Sequence, residues 1–539
     1  MISSKKTDLS AKEVSARLTS GAKGEASQSF ECGCKKDVSF NIETMNKDCP
    51  LVFDIIARSP IGVFQIEGPT ARKWIGQFRP SSISDLADFT SLARTGPLKA
   101  GMMEEYIAVK LGHKPASFLH PDLESILGPT FGALVYQEQI MELAWQIAGL
   151  DLVEADKIRK AVGKKLPEQL AEMKEKFVGG CLQNGYSSDM SNQIWDWILP
   201  MSGYAFNKSH AVCYATLAYK TAWAKTHYTT EFFTALLNKS GTGSKEQTDQ
   251  ILTIVNDGKL MEIEVLPPSI DEITMDFKIV GDRKIAFGLS HIKGIGKSTY
   301  GEVKKCKAKT YRELVSKFFD KPVKKTVLDA LIWSGALDKF GVSRYNMCAD
   351  FSLLRELTPN ERKVVQHIIK KGGEFNLPKI TEQLLTCDKS LFEEVGVRRP
   401  ATRRAKTVGE LIETHVKYMT SESIRGEISF EKFYIGISFL AGGESYEDDY
   451  TPCIEFVDAP DGSRFIFASM IEKVRKHVDK NGNDMAFVAI SDSSYMVDSC
   501  VIFSRQYGRF NNLLKEENVV RVIGYKQGNS FILNKIERL

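Results

Sequence analysis

The chain has 539 residues, 43% hydrophobic and 26% charged, the balance of a globular protein with room for roughly three to five domains. Lys+Arg 72 against Asp+Glu 68 leave a net charge of +4, too little by itself to imply a polyanionic partner. No apolar run approaches the ~18 residues of a membrane helix, and MISSKKTDLS has no apolar stretch behind its lysines. Membrane, collagen-like and disordered classes are therefore excluded for most of the chain, and a cytoplasmic location is expected. Ten cysteines contain no CxxC pair, which argues against structural zinc and for reduced, mostly buried thiols.

Residues 1–50 are rich in Ser, Lys, Gly and Thr with weak apolar periodicity, and are expected to be poorly ordered or to bind a partner. From Leu51 to about residue 240 the pattern is mainly helical. One helix starts at Pro167, carries Leu170, Met173 and Phe177 on one face, and stops at Asn184-Gly185. A second runs from about Ser209 to Lys225. The polar GTGSKEQ (241–247) breaks the pattern. Short strands are expected in MEIEVLPPSI and DFKIVGDRKIAFGLS, with a Gly-Asp turn. Residues 346–426 read as a helical and basic connector containing Arg398, Arg399, Arg403, Arg404 and Lys406. From about Ile428 the period becomes two: FYIGISFL, RFIFASMI, MAFVAISD, MVDSCVIF and VVRVIGY predict strands of a small barrel such as an OB-fold. The expected class is multidomain α+β, with a mainly helical region, a small α/β domain holding a helix-hairpin-helix, and a C-terminal barrel.

Several runs point to phosphate chemistry. Between Lys293 and Lys325 there are eleven basic residues and three acids, a local charge of +8. Ile292-Lys293-Gly294-Ile295-Gly296-Lys297 at its start has the form of a helix-hairpin-helix turn. Its glycines would let the backbone approach a phosphate, while amides at the next helix start and nearby lysines such as Lys304 and Lys305 would contact it. An ordinary tight turn beside a solvated lysine face is the weaker account.

ADKIRKAVGKK (155–165) brings Arg159, Lys160 and Lys164 close together on a helix, a set suited to a polyphosphate. On spacing alone a solvated helix end explains it better. In GYAFNKSHAVCYA (203–215), Asn207 or Ser209 can cap the following helix, whose free amides would face an anion beside Lys208 and His210. Taken alone, a buried helix with a satisfied histidine explains that stretch better too. LVYQEQIM places Gln137, Glu138 and Gln139 among apolar residues, and LARTGPL offers Arg94 before a Gly-Pro turn. Each fits a loop held by side-chain hydrogen bonds. No DxD pair on a strand, P-loop, HxH or GxSxG pattern is present, and nothing in the sequence looks able to hold two magnesium ions.

In order, these pieces resemble the alpha subunit of bacterial replicative DNA polymerase III, a C-family polymerase. GVFQIEG (62–68) is similar to the family's GVFQLES. SLARTGPLKAGM (91–102) is similar to ALYRPGPLQSGM, with Thr95 replacing proline. VYQEQIM (135–141), ADKIRKAVGKK (family ADLLRRAMGKK) and GYAFNKSHAVCYA (family GYGFNKSHSAAYA) follow. IEVLPPSI (263–270), IAFGLSHIKGIG (285–296), LDALIWSGALDKFG (328–341) and NDMAFVAISD (483–492) complete the series over about residues 50–345 and 427–539.

The resemblance implies a division of labour. Residues 51–240 would be a fingers domain holding the incoming dNTP through Arg159, Lys160, Lys164, Lys208, Ser209, His210 and Arg94. Lys160 departs from the family's second arginine: it keeps the charge and loses the bidentate fork. Residues 241–345 would be the clamp-associated domain, gripping primer-template DNA through Lys293, Gly294, Gly296, Lys297, Lys304 and Lys305. Residues 427–539 would be the OB module, stacking and neutralising single strand. Asp388, Leu391 and Phe392 are similar to part of a sliding-clamp peptide, although an amphipathic helix accounts for them equally well.

The family's palm aspartates have no counterpart in the sequence. The expectation is therefore a split polymerase, from a phage or a rearranged bacterial gene, whose palm-bearing partner chain carries the Mg²⁺ ligands. This chain alone would bind but not polymerise. A non-catalytic DNA-binding or clamp-adaptor protein is the rival reading, and an error-prone relative of the family a weaker third.

Overall fold

The computed structural model describes residue 43 and residues 45–164, 167–199, 205–241, 245–386, 389–420, 423–440, 450–492 and 494–539. The expectation for residues 1–50 therefore falls almost entirely outside the described residues.

The first helices are α1 (Pro50–Arg58), α2 (Pro69–Phe78), α3 (Ile83–Leu92), α4 (Thr95–Lys99) and α5 (Met102–Lys110). Then come α6 (Gln137–Glu142), α7 (Leu152–Lys164), α8 (Pro167–Gln183), α9 (Ser188–Ile198) and α10 (Lys208–His227). They form two cores. One holds α1, α2, α3, α5 and α10, and the other is built around α7, α8 and α9. Helix α10 starts where Asn207 Oδ1 accepts the His210 amide at 2.8 Å. Ala211, Ala215, Ala218 and Ala222 then recur on one fully buried face, so α10 can lie close against α3 and α1. Pro167 does open α8, and Gly185 follows its end at φ +90°.

Next come α11 (Thr229–Lys239), α12 (Lys245–Lys259) and a three-stranded sheet. Its strands are β1 (Glu264–Leu266), β2 (Lys278–Gly281) and β3 (Lys284–Ala286), in the order β1-β3-β2. The basic segment carries α13 (Tyr300–Lys305) and α14 (Tyr311–Asp320). It is followed by α15 (Lys325–Trp333), α16 (Arg344–Glu356), α17 (Pro359–Lys371), α18 (Leu377–Thr386), α19 (Lys389–Val395), α20 (Thr402–Met419) and α21 (Ile424–Ile435). One hydrophobic core takes in Ile61 and residues from Phe233 in α11 to Ile437, so residues of the 346–426 segment share a core with the hairpin region.

FYIGISFL (433–440), expected as a strand, is not one. Phe433 to Ile435 finish α21, and Gly436 ends it at φ +80°. Buried Glu431 then accepts the amides of Phe439 and Leu440 at 2.9 and 3.2 Å, which holds the segment in the hairpin core. The pull on those amides comes from a side chain on the preceding helix, which no period in the sequence reveals.

The remaining strands are β4 (Arg464–Val478), β5 (Asp484–Ser491), β6 (Met496–Ile502), β7 (Val519–Gln527) and β8 (Ser530–Arg538), with α22 (Ser504–Phe510) between β6 and β7. They close a barrel in the order β4-β5-β6-β8-β7, since β4 also pairs with β7 and β6 runs parallel to β8. Five strands with this order form the expected OB-like barrel. Phe465, Phe467 and Phe531 fill its centre. All seven described cysteines are free thiols, six of them buried. Among the described residues no helix is long and apolar enough to cross a membrane.

Candidate functional site

The candidate cradle is built on Val135 to Gln139, where an extended approach through Tyr136 enters α6. Phe206 donates its amide to the Val135 carbonyl at 3.0 Å, and Gln137 donates back to the Phe206 carbonyl at 2.9 Å, a parallel bridge that sets the entry to α10. Buried Gln139 holds the segment from beneath. Its Oε1 accepts the amides of Val135 and Tyr136, and its Nε2 donates to the Ile126 carbonyl and to Thr130 Oγ1. The glutamine-rich stretch is thus fixed by side-chain hydrogen bonds, each satisfying a buried polar group.

Three of the sequence-predicted sites lie on this segment or on Phe206, its bridge partner. Arg159 on α7 donates Nη1 to Gln137 Oε1 at 3.0 Å. Its Nε and Nη2 reach Asp156 at 2.9 and 2.8 Å, and Lys160 reaches the same carboxylate at 2.6 Å. The hydrogen bonds from Lys160 and Arg159 hold the Asp156 carboxyl below its ordinary range. Arg94 places its guanidinium 4.0 Å from the centroid of the Phe206 ring. Lys208 holds its ammonium 5.6 Å from the centroid of the Tyr136 ring. The Lys164 side chain lies outside the described residues.

The start of α10 differs from the sequence expectation of free amides. The Lys208 amide donates to Glu138 at 3.0 Å, Asn207 Nδ2 donates to the same carboxylate at 2.9 Å, and the His210 amide is taken by the cap. Glu138 was read as a loop residue, but it caps a helix start some 70 residues away in sequence. The positive charge here therefore lies on the side chains of Arg94, Arg159, Lys160 and Lys208 and not on free amides at the start of α10. Exposed Ser209 and His210 stand on the same helix end. His210 also belongs to an aromatic row: Phe206, His210, Tyr214 and Phe64 follow at centroid separations of 5.5, 4.1 and 5.4 Å.

Asp88 lies under this surface and escaped the sequence reading. Its carboxylate accepts from Tyr106 and Tyr136, both at 2.5 Å. Burial raises its pKa to about 6, although both tyrosine hydrogen bonds and the Lys208 charge pull the other way. Nothing in ISDLADFTSL marks its aspartates as buried, and in the fold both Asp85 and Asp88 are.

The hairpin residues form a separate surface. The Lys293 amide donates to the Tyr434 carbonyl at 2.8 Å, and its ammonium sits 3.6 Å from the centroid of the Phe433 ring. Gly294 needs its φ of +90°, and a Cβ there would meet only the Thr326 carbonyl, at 3.9 Å. The Gly296 amide is already used by Thr299 Oγ1 at 2.9 Å. Lys297 is exposed at the following turn, and Lys304 lies over Tyr300. Lys305 pairs with Glu302 at 2.7 Å, and Glu302 also accepts the Lys324 amide. Lys307, Lys309, Lys321, Lys324 and Lys325 add exposed positive charge. On the barrel, Arg475, Lys476 and His477 are exposed along β4, with His477 5.8 Å from Phe487.

The clamp-peptide residues are placed differently. Asp388 lies outside the described residues. Phe392 is only 2% exposed and Leu391 packs against the same core, so this pair fills its own domain rather than a partner's pocket. The family implies a divalent metal, but among the described residues no group of three His, Cys, Asp or Glu side chains is arranged to hold one. The described residues do not fit that ion.

Residues 31–185 match the family described as the bacterial DNA polymerase III alpha subunit finger domain, and residues 262–347 match a helix-hairpin-helix motif. DNA polymerase III subunit alpha of Aquifex aeolicus is 29% identical over 494 residues, which is 90% of this chain and 38% of that protein. The subunit of Campylobacter jejuni is 27% identical over 94% of this chain and 41% of its own length. That of Helicobacter pylori strain 26695 is 35% identical over 59% of this chain and 27% of its own length. The chain spans about two fifths of the first two relatives. Its finger and helix-hairpin-helix regions, its closed barrel and a likeness covering about nine tenths of its length make the chain a relative of the bacterial DNA polymerase III alpha subunit.

Proposed function

We propose that this chain is the nucleotide- and template-holding part of a replicative DNA-directed DNA polymerase. It works with a palm-bearing chain that carries the Mg²⁺-binding aspartates. The observation that carries this reading is that Arg159 meets Gln137 and Lys208 meets Glu138, while Arg94 lies over Phe206, which bridges to Val135 and Gln137. Arg159 and Lys160 exchange Asp156 for oxygens of the dNTP triphosphate. The exchange is inexpensive because that ion pair is solvent-facing. Gln137 keeps the Arg159 fork oriented meanwhile, so little order is lost on binding. Arg94, Lys208, Ser209 and His210 complete the polar wall.

Primer-template DNA is held by Lys293, Gly294, Gly296, Lys297, Lys304 and Lys305, and single strand by the basic, aromatic edge of the barrel. Such a complex works in the cytoplasm of a bacterial cell. Phe392 belongs to the chain's own core and does not reach a clamp's pocket.

The test is reconstitution. The purified chain is mixed with a candidate palm-bearing chain and assayed for primer extension with Mg²⁺. Extension that needs both chains, and a nucleotide KM raised by Arg159→Ala with Lys160→Ala, support the reading. Unchanged kinetics in that double variant, or extension by this chain unaided, overturn it.

A further inference from the structure

A cavity of about 240 Å³ opens between the start of α17, the end of α19 and the approach to α20, away from the residues of the cradle. Phe392 closes its inner end, with half-buried Val397 and Pro400 beside it. Arg398 and Arg399 are exposed at its mouth. They belong to a run from Val397 to Lys406 that has five basic residues and no acid.

The inner wall is neutral. Arg404 makes a bidentate pair with buried Glu361 at 2.8 and 2.7 Å and donates to the Glu356 carbonyl at 2.9 Å. Glu361 also accepts the Thr358 amide that begins α17. The helix start and the third arginine are thus already matched to a carboxylate. An anion pushed inward would find Arg404 already matched by Glu361, whereas one at the mouth meets Arg398 and Arg399. Arg399 commits one donor to the Leu385 carbonyl at 2.8 Å and keeps the rest of its fork.

We propose that this cavity receives a short acidic peptide segment of a partner protein. One apolar side chain enters against Phe392, Val397 and Pro400, and a flanking carboxylate pairs with Arg398 and Arg399. The charge pattern favours a peptide over a nucleic-acid backbone. A phosphate chain would engage Arg398 and Arg399 but has no group to pack against Phe392, Val397 and Pro400, and the Arg404 charge is already met by Glu361. The cavity is also small for a whole cofactor and sized for a single side chain.

The experiment selects random peptides on the full chain and counter-selects on the exposed-site variant R398E/R399E. R398Q/R399Q serves as a milder second variant, and circular dichroism verifies the fold of both. A selected peptide is then titrated by fluorescence anisotropy. Expected sequences place Asp or Glu beside Phe, Leu or Trp. Changing the acid to its amide, the apolar residue to Ala, or both arginines to Gln each weakens binding by about tenfold or more. Primer extension by the reconstituted polymerase stays unchanged in the arginine variants. No arginine-dependent peptide, or full affinity without the apolar residue, overturns the proposal. Displacement of the peptide by a duplex oligonucleotide that needs the same arginines overturns it too, and makes the surface a nucleic-acid contact.

Discussion

Lys225 and Asp257 form a buried ion pair at 2.5 Å that joins α10 to α12, and so joins the helical region to the hairpin region. The same ammonium donates to the carbonyls of Ser59 and Ile61 at 2.6 and 2.8 Å, and Ser59 Oγ donates to Asp257 at 2.6 Å. Burial pulls the Lys225 pKa down, and Asp257 opposes that pull. Breaking such a pair from one side leaves a bare buried charge. Lys225→Met is therefore expected to lose about 3–5 kcal/mol in urea unfolding, and the paired change Lys225→Met with Asp257→Leu to recover most of it. Equal losses in both variants would show that the three oxygens around the ammonium matter more than its charge.

Asp88 makes stability depend on pH. Its folded pKa of about 6 lies above the ordinary 3.8, so the folded chain keeps a proton that the unfolded chain has released. This contribution is complete below about pH 4 and is lost as pH rises through about 6, a change of up to about 3 kcal/mol. Asp88→Asn keeps an acceptor for one tyrosine and does not titrate. Thermal unfolding across this range should show a flatter profile in that variant, and parallel profiles would place the titrating group elsewhere.

Gly180 lies within α8, where glycine normally weakens a helix by about 0.5–1 kcal/mol relative to alanine. Here the sign reverses. A Cβ at Gly180 would stand 2.0 Å from the Ala148 carbonyl oxygen, which is backbone and cannot swing aside. Gly180→Ala should lower stability by about 1–3 kcal/mol in thermal melts through overpacking. Gly179, with nothing near its virtual Cβ, provides the control: Gly179→Ala should leave stability unchanged or raise it.

Gln137 is a positioning residue for Arg159. Gln137→Ala leaves the charge in place but removes the acceptor 3.0 Å from Nη1. In the reconstituted polymerase the nucleotide KM should rise about three- to tenfold with a smaller change in kcat, and Gln137→Glu, which keeps an acceptor, should restore most of it. A fall in kcat with constant KM would assign Gln137 to the transition state instead.

What was legible in the sequence was local. The Asn207 cap, the Pro167 start and Gly185 stop, and the alternation of RFIFASMI and VVRVIGY each act within a few residues, and each appears where the pattern placed it. The cradle residues were legible as motifs, but their partners were not. Glu138 meets Lys208 across 70 residues, Arg159 meets Gln137 across 22, and Tyr136 meets Asp88 across 48. Such pairings depend on how helices pack, and one sequence does not encode them at any fixed spacing. FYIGISFL misled because alternating apolar residues around a glycine suit a strand and a helix end equally, and Glu431 decides the matter.

The hairpin lysines should differ in what they contribute to DNA binding, because the fold neutralises some of them. Lys305 is paired with Glu302 at 2.7 Å, so a phosphate must compete with a carboxylate for it. Lys297 is exposed at the turn after Gly296, and Lys304 rests over the Tyr300 ring, which orients the ammonium without cancelling its charge. Each lysine that contacts a phosphate releases about one counterion, so its loss should reduce the slope of log K against log salt by about one. Titrating duplex DNA at several salt concentrations should show that reduction for Lys297→Ala and for Lys304→Ala, and a smaller one for Lys305→Ala. Glu302→Gln should then act oppositely, freeing Lys305 and steepening the slope. If Lys305→Ala flattened it as much as Lys304→Ala, the phosphate would have to displace Glu302 on binding, and the pair seen here would belong to the DNA-free chain alone.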